Sequence, residues 1–317
     1  MDSLSSLIYK AKEKANKHNI NRQLIYTSPI NNIEQYSILL NSYYVASYIR
    51  DYIYTKMTHN MNQQFVIYKK DITVNIYSIK SIPKAYMKQI LAILYLLVPY
   101  SPLKYSKELS IQIYLTPFKK LFPKQGTILG PEHINSGVSS SSKTNSEVII
   151  FREEEWFKVY IHELFHNLGL DFSQYSVSYF KKELNKLHTI QSEFLLYEAY
   201  SECWATIIQL IYFNRSYARE INHALCQAKR IILFAKDYRE NTNVFCYYFI
   251  KAVFLSDIDY YIEWCKKNNH NLFYYKYTQK NNEAFMSLYK TLLPDFMDDL
   301  RNIVCNKIKS LRMTYKN

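Results

Sequence analysis

Glycine is nearly missing from this chain: there are four in 317 residues. Almost the whole backbone must therefore do without the one residue that adopts positive φ at no steric cost. All four glycines, Gly126, Gly130, Gly137 and Gly169, fall within one short stretch, so special backbone geometry is expected there. Cysteine is also sparse. The five, at 203, 226, 246, 265 and 305, are odd in number, widely spaced and free of any CxxC pair. That pattern predicts buried, reduced thiols in a cytoplasmic protein and argues against a disulfide framework. No basic n-region with an apolar core opens the chain, which predicts that it is not secreted. The most apolar stretch, Ile90 to Val98, is too short to span a bilayer, so no membrane partner is expected. No internal repeat and no run of lysines occurs. The net charge of +13 comes from 40 Lys and Arg scattered against 27 Asp and Glu. Dispersed lysine means a solvated surface, and without a recognition module no specific nucleic-acid partner is expected.

What is present in quantity is apolar and aromatic side chains. Hydrophobic residues make up 48% and tyrosine alone contributes 32 residues, enough for substantial cores and incompatible with disorder. Such composition is what an AT-rich genome encodes.

The pattern of residues predicts helices over 3–18 and 31–57, separated at Ser28-Pro29, and strands over 64–68 and 72–77 joined as a hairpin. A helix should run from Pro83 to about Val98, and a strand over 110–115. Ser139–Ser142 reads as a flexible loop. Val148-Ile149-Ile150-Phe151 is a strand signal, and Glu153, Glu154 and Glu155 follow where acids favour a helix start. Phe157, Ile161, Leu164 and Leu168 then recur at helical spacing, and Gly169 stands where a helix ends. A polar connector over 173–192 leads to a long apolar run after Glu202. Further helices are expected near 216–237, 244–267 and 281–313.

On the helix between strand and glycine stands His162-Glu163-Leu164-Phe165-His166. Residues four apart share a helix face, so both imidazoles can bind one metal ion, with Glu163 beside them as base for a metal-bound water. Zinc in a hydrolytic site takes three protein ligands and leaves one position open. Glu198 and Glu202, four apart in Tyr197-Glu198-Ala199-Tyr200-Ser201-Glu202, share a helix face. One can bind the metal and the other can orient a ligand. Asp171 and Glu193 are further carboxylates within reach in sequence.

HExxH followed by a distant glutamate resembles the gluzincin metallopeptidases, the class that includes the thermolysin-like enzymes. The resemblance implies a zinc metallopeptidase with His162, His166 and Glu198 as metal ligands, Glu163 as catalytic base and Glu202 behind the ligands. It covers the motif helix, the glutamate helix and the strand at 148–152. Tyr197 and Glu202 depart from the N-E-x-x-S-D pattern of that class. The metzincin continuation HExxHxxGxxH keeps Gly169 but places Phe172, which cannot bind zinc, at the last position. The segment Glu154 to His166 is also similar to metallopeptidases of large DNA viruses, which implies host cytoplasm or virion.

The expected fold is α+β and zincin-like. A small mixed β-sheet packs on the active-site helix, followed by a mainly helical lobe. Residues 1–60 would form an N-terminal helical segment, 61–170 the sheet-containing lobe and 171–317 a helical lobe with the third ligand. Substrate, a protein or peptide, would lie in a cleft between lobes. His223, Tyr247 and Tyr248 are candidates to stabilise an oxyanion, and His188 reads as a plain surface residue. The alternative function is a non-catalytic structural or interaction protein retaining the metal site. The sequence leaves the oligomeric state open.

Overall fold

The computed structural model describes residues 2–18, 41–57, 62–68, 71–102, 108–124, 127–140, 146–233, 239–305 and 310–315. The chain is mixed α/β and forms two compact units, one of residues 2–119 with 135–170, the other of 120–134 with 171–317. The helices of the first sixty residues belong to the unit that contains the sheet.

The first unit holds a five-stranded mixed sheet. Its strands are β1 (Asn62–Tyr68), β2 (Ile72–Ser78), β3 (Leu109–Tyr114), β4 (Gly137–Ser140) and β5 (Ser146–Ile150), in spatial order β1-β2-β3-β5-β4. β1 pairs antiparallel with β2, from Tyr68 opposite Ile72 to Asn62 opposite Ser78, as the hairpin reading requires. The Lys69-Lys70 turn itself lies outside the described residues. β2, β3 and β5 run parallel, and β4 returns antiparallel along β5, with Gly137 opposite Ile150 and Ser139 opposite Val148. Side chains alternate between the two faces of such a sheet. Tyr77, Tyr114, Ile149, Phe151 and Val138 pack on one side against Val45, Ile49, Ile53 and Met57. Val45 precedes α2 (Ser47–Tyr52), Ile49 lies in it, and Ile53 and Met57 come from the π-turn Ile53–Met57 that continues it. Of the helix expected over 31–57, residues 31–40 lie outside the described part, as does the break at Ser28-Pro29, and residues 42–46 are turn rather than helix, which begins only at Ser47. α1 (Asp2–Lys17) and α3 (Lys84–Leu97) pair with each other, and Lys88 Nζ donates to the carbonyls of Ala15 and Asn16 at 3.1 and 2.9 Å.

Buried Arg152 ties the end of β5 to its surroundings. Its Nε donates to Asn135 O at 3.0 Å, one terminal nitrogen to Lys119 O at 2.9 Å and the other to Tyr48 Oη at 3.1 Å.

The second unit contains the short α4 (Pro131–Ile134), then α6 (Ser178–Asn185), α7 (Leu196–Tyr212), α8 (Tyr217–Leu233), α9 (Lys251–Leu255), α10 (Ile258–Asn268) and α11 (Gln279–Asn302). α5, in the first unit, is described with the site. Buried tyrosines fill the core here, and several place their hydroxyls on acceptors. Tyr200 Oη donates to Phe273 O at 2.7 Å, and Tyr275 Oη to Asn282 at 3.0 Å. Burying a ring is favourable only when its polar tip finds a partner.

Several expectations are corrected. Ser139 and Ser140 are strand, not loop, because they pair with β5; Ser141 and Ser142 lie outside the described residues. The helix expected over 244–267 is broken. A π-turn, Cys246–Ile250, precedes α9, and the Asp257 side chain caps α10 by accepting from Tyr260 N at 2.9 Å. An Asp that bonds the backbone locally competes with helix continuation. The helix expected over 281–313 ends at Asn302, and residues 310–315 are not helical. The last residues of the helix expected over 216–237 lie outside the described part. Among the described residues, no helix is long and apolar enough to cross a membrane.

Candidate metal centre

α5 spans Trp156–Asn167 and carries the HExxH segment. It starts after Glu155, whose φ of 61° is left-handed, and ends in Gly169 at φ 62°. Gly169 N donates to His166 O and Leu170 N to Phe165 O, at 3.0 and 2.9 Å, the paired bonds of a Schellman cap. The amphipathic stripe seen in the sequence understates the burial. Every residue of α5 is buried except His166, which is half-buried. A helix enclosed on all sides holds its polar side chains in fixed rotamers.

His162 and His166 lie one turn apart on one face, with ring planes at 85° and Nε2 atoms 2.9 Å apart. Adjacent corners of a tetrahedral zinc shell with bonds of about 2.0–2.1 Å are about 3.3 Å apart. Imidazole is a donor type that suits zinc, and the two nitrogens, 2.9 Å apart in a direct contact, would have to part by about 0.4 Å to share one ion.

Glu163 is buried and faces β4 rather than solvent. Ser139 Oγ donates to its Oε2 at 2.7 Å. One turn on, Asn167 Nδ2 donates to Ser140 O at 2.8 Å. Gly137 explains how the helix comes so close. A Cβ built there would meet Val159 Cγ1 at 2.7 Å and Glu163 Cγ at 2.8 Å, so only glycine admits α5 against the strand. Of the other glycines, Gly126 lies outside the described residues. Ser139 and Asn167 were missed in the sequence. Asn167, four residues after Glu163, was legible as sharing its face; Ser139, inside a serine run, carried no local signal.

Compared with known proteins, the chain matches no family model, no curated protein and no solved structure.

In the second unit, Glu198 occupies the first turn of α7 and Glu202 the next, both buried. Asn243 Nδ2 lies 3.4 Å from Glu198 Oε1. Two buried carboxylates on one face are costly unless cations or donors meet them. Asp171 is buried in a local turn. One of its oxygens accepts from Ser173 N and Oγ at 3.1 and 2.8 Å, the other from Ser201 Oγ at 3.2 Å. Glu193 is exposed and paired with Lys181 at 2.7 Å, which removes it as a ligand candidate.

The other named residues find different partners. His223 Nε2 lies 3.1 Å from Arg312 O, and Tyr248 Oη donates to Leu311 O. His188 is no plain surface residue. It is hydrogen-bonded to Tyr289 Oη at 2.7 Å and enclosed by Phe194, Phe245 and Phe249, and burial lowers its pKa to about 4.

Proposed function

We propose that this protein is a zinc-dependent metallopeptidase with a zincin-like fold. His162, His166 and Glu198 would hold the ion, Glu163 would act as general base, and Glu202 would orient the ligands from behind. The reading rests on one observation above all: two imidazole nitrogens 2.9 Å apart on a helix buried at every residue but His166, with the carboxylate between them in sequence held by a neighbouring strand. A His-His-Glu donor set suits zinc and leaves a coordination position open. Zinc bound there would lower the pKa of a coordinated water to about 7 and polarise a scissile carbonyl.

This chain's own residues supply the rest. With Oε2 anchored by Ser139, Glu163 Oε1 takes the proton of the attacking water and returns it to the leaving amine. β4 lies at the edge of the sheet, and an extended peptide would add to it as a further strand. Main-chain pairing of that kind accepts many sequences, so the expected substrate is an unfolded or extended polypeptide.

The test measures zinc per chain and hydrolysis of casein for wild type, Glu163→Gln and Glu198→Gln. Glu163→Gln should keep about one zinc and lose hydrolysis by about 10²–10⁴-fold. Glu198→Gln should bind zinc weakly. Undiminished hydrolysis in Glu163→Gln would refute the assignment, and full zinc occupancy in Glu198→Gln would move the third ligand elsewhere.

A further inference from the structure

The five cysteines do not share one fate. Cys226 of α8 and Cys305, just beyond α11, form a disulfide with a Cα–Cα distance of 5.6 Å, which overturns the expectation of five reduced thiols. Cys203, Cys246 and Cys265 are free and fully enclosed, and burial pushes their thiols up. Cys305 is half-exposed, so of the five cysteines only the bridged pair reaches solution. The expectation failed because 79 residues separate the partners and no short-range spacing announces them.

Beyond the bridge, Ser310–Tyr315 is held as a bound peptide is held. Four consecutive carbonyls are taken by side chains. Gln227 Nε2 donates to Ser310 O at 3.1 Å and to Arg312 O at 2.6 Å, with His223 Nε2 3.1 Å from the same Arg312 oxygen. Tyr248 Oη donates to Leu311 O, and Lys251 Nζ, itself buried, to Met313 O at 2.7 Å. Glu220 Oε2 accepts from Tyr315 N at 2.9 Å, and Leu311 N donates to Lys120 O at 2.9 Å. Glu220, His223 and Gln227 fall at helical spacing along one face of α8. Leu311 and Met313 are buried while Ser310 and Arg312 are half-exposed, the alternation of an extended segment over 310–313; the chain then bends at Met313–Thr314, and Thr314 is buried as well. Contacts to main chain fix direction and register and leave sequence largely unread.

We propose that this face of α8, with Tyr248 and Lys251, is a groove for the main chain of an extended peptide, occupied in cis by residues 310–315 and latched by the Cys226–Cys305 disulfide. Opening requires a dithiol reductant. Its thiolate attacks Cys305 Sγ, the S–S bond breaks, and Cys226 leaves as thiolate and takes a proton from water. The reductant's second thiol then resolves the mixed disulfide, which yields Cys305 as thiol and the reductant as disulfide, with two electrons transferred. A peptide with apolar residues at the Leu311 and Met313 positions then competes for the groove.

The test uses the full chain, as isolated and after dithiothreitol. Thiol counting in denaturant should give three thiols before reduction and five after. Amide exchange at Leu311 and Tyr315 should quicken at least about tenfold on reduction while Ile207 and Ile208 of α7 stay protected, as local opening demands. A fluorescent peptide Ser-Leu-Arg-Met-Thr-Tyr should bind the reduced protein only, and Gln227→Ala should abolish that binding. Cys305→Ser should behave as reduced wild type; if it does not fold, dithiothreitol on the wild type decides alone. Five thiols before reduction, unchanged exchange at 311 and 315, equal peptide binding in both states, or loss of protection throughout α7 would each overturn the proposal.

Discussion

Ser139 Oγ donates to Glu163 Oε2 at 2.7 Å, which joins the edge strand of the sheet to the helix of paired histidines. The bond holds the carboxylate against the strand, with Oε2 on Ser139 and Oε1 beside Gly137. Under the proposed reading, Ser139→Ala should keep zinc and lower kcat by about 10–150-fold, with KM little changed, because a hydrogen bond to a charged group contributes about 1.5–3 kcal/mol. Ser139→Thr should recover most of the loss. A wild-type kcat in Ser139→Ala would show that packing alone orients Glu163. Gly137→Ala pushes on the same carboxylate and on Val159, so it should cost roughly 1–3 kcal/mol of stability as well as activity, read by thermal unfolding.

Arg152 is buried with three acceptors from residues far apart in the chain. Arg152→Met keeps the volume of the stem but strands the carbonyls of Lys119 and Asn135. Each stranded group costs about 1–3 kcal/mol, so urea unfolding should show a loss of about 2–5 kcal/mol. A change under 1 kcal/mol would mean that water replaces the guanidinium.

His188, lowered to about 4 by burial among aromatic rings, is neutral in the folded protein. Its folded pKa is depressed below the ordinary 6.5. Stability is therefore complete above about pH 6.5 and is lost as pH falls towards 4, by about 2–3 kcal/mol. His188→Gln, which can still meet Tyr289 Oη, should flatten this acid limb. An unchanged limb in that variant would place the acid sensitivity elsewhere.

Glu147 on β5 has the opposite sign. Burial raises its pKa from 4.5 to about 7, so the charged form is disfavoured in the folded state. Stability is greatest below about pH 4.5 and declines as pH rises to 7. Because the group is only partly buried, screening reduces the effect to roughly 1–2 kcal/mol. Glu147→Gln should be more stable than wild type at pH 8 and equal to it at pH 4, measured by denaturant midpoints at both values.

Local chemistry made part of this molecule readable from residue order alone. The strand at 148–151, the helix after it and its termination at Gly169 follow from β-branched runs, helical periodicity and a left-handed cap. Each signal acts within a few residues, and the two histidines share a face for the same reason. The near-total burial of α5, the pairing that turns Ser139 and Ser140 into strand, the bond from Ser139 to Glu163, the Cys226–Cys305 bridge and the capture of residues 310–315 were decided only by tertiary structure. The Ser139–Glu163 bond, the bridge and the capture of 310–315 join groups 24 or more residues apart, the strand pairing joins residues across an intervening loop, and the burial of α5 depends on what surrounds it; no local periodicity records such neighbours.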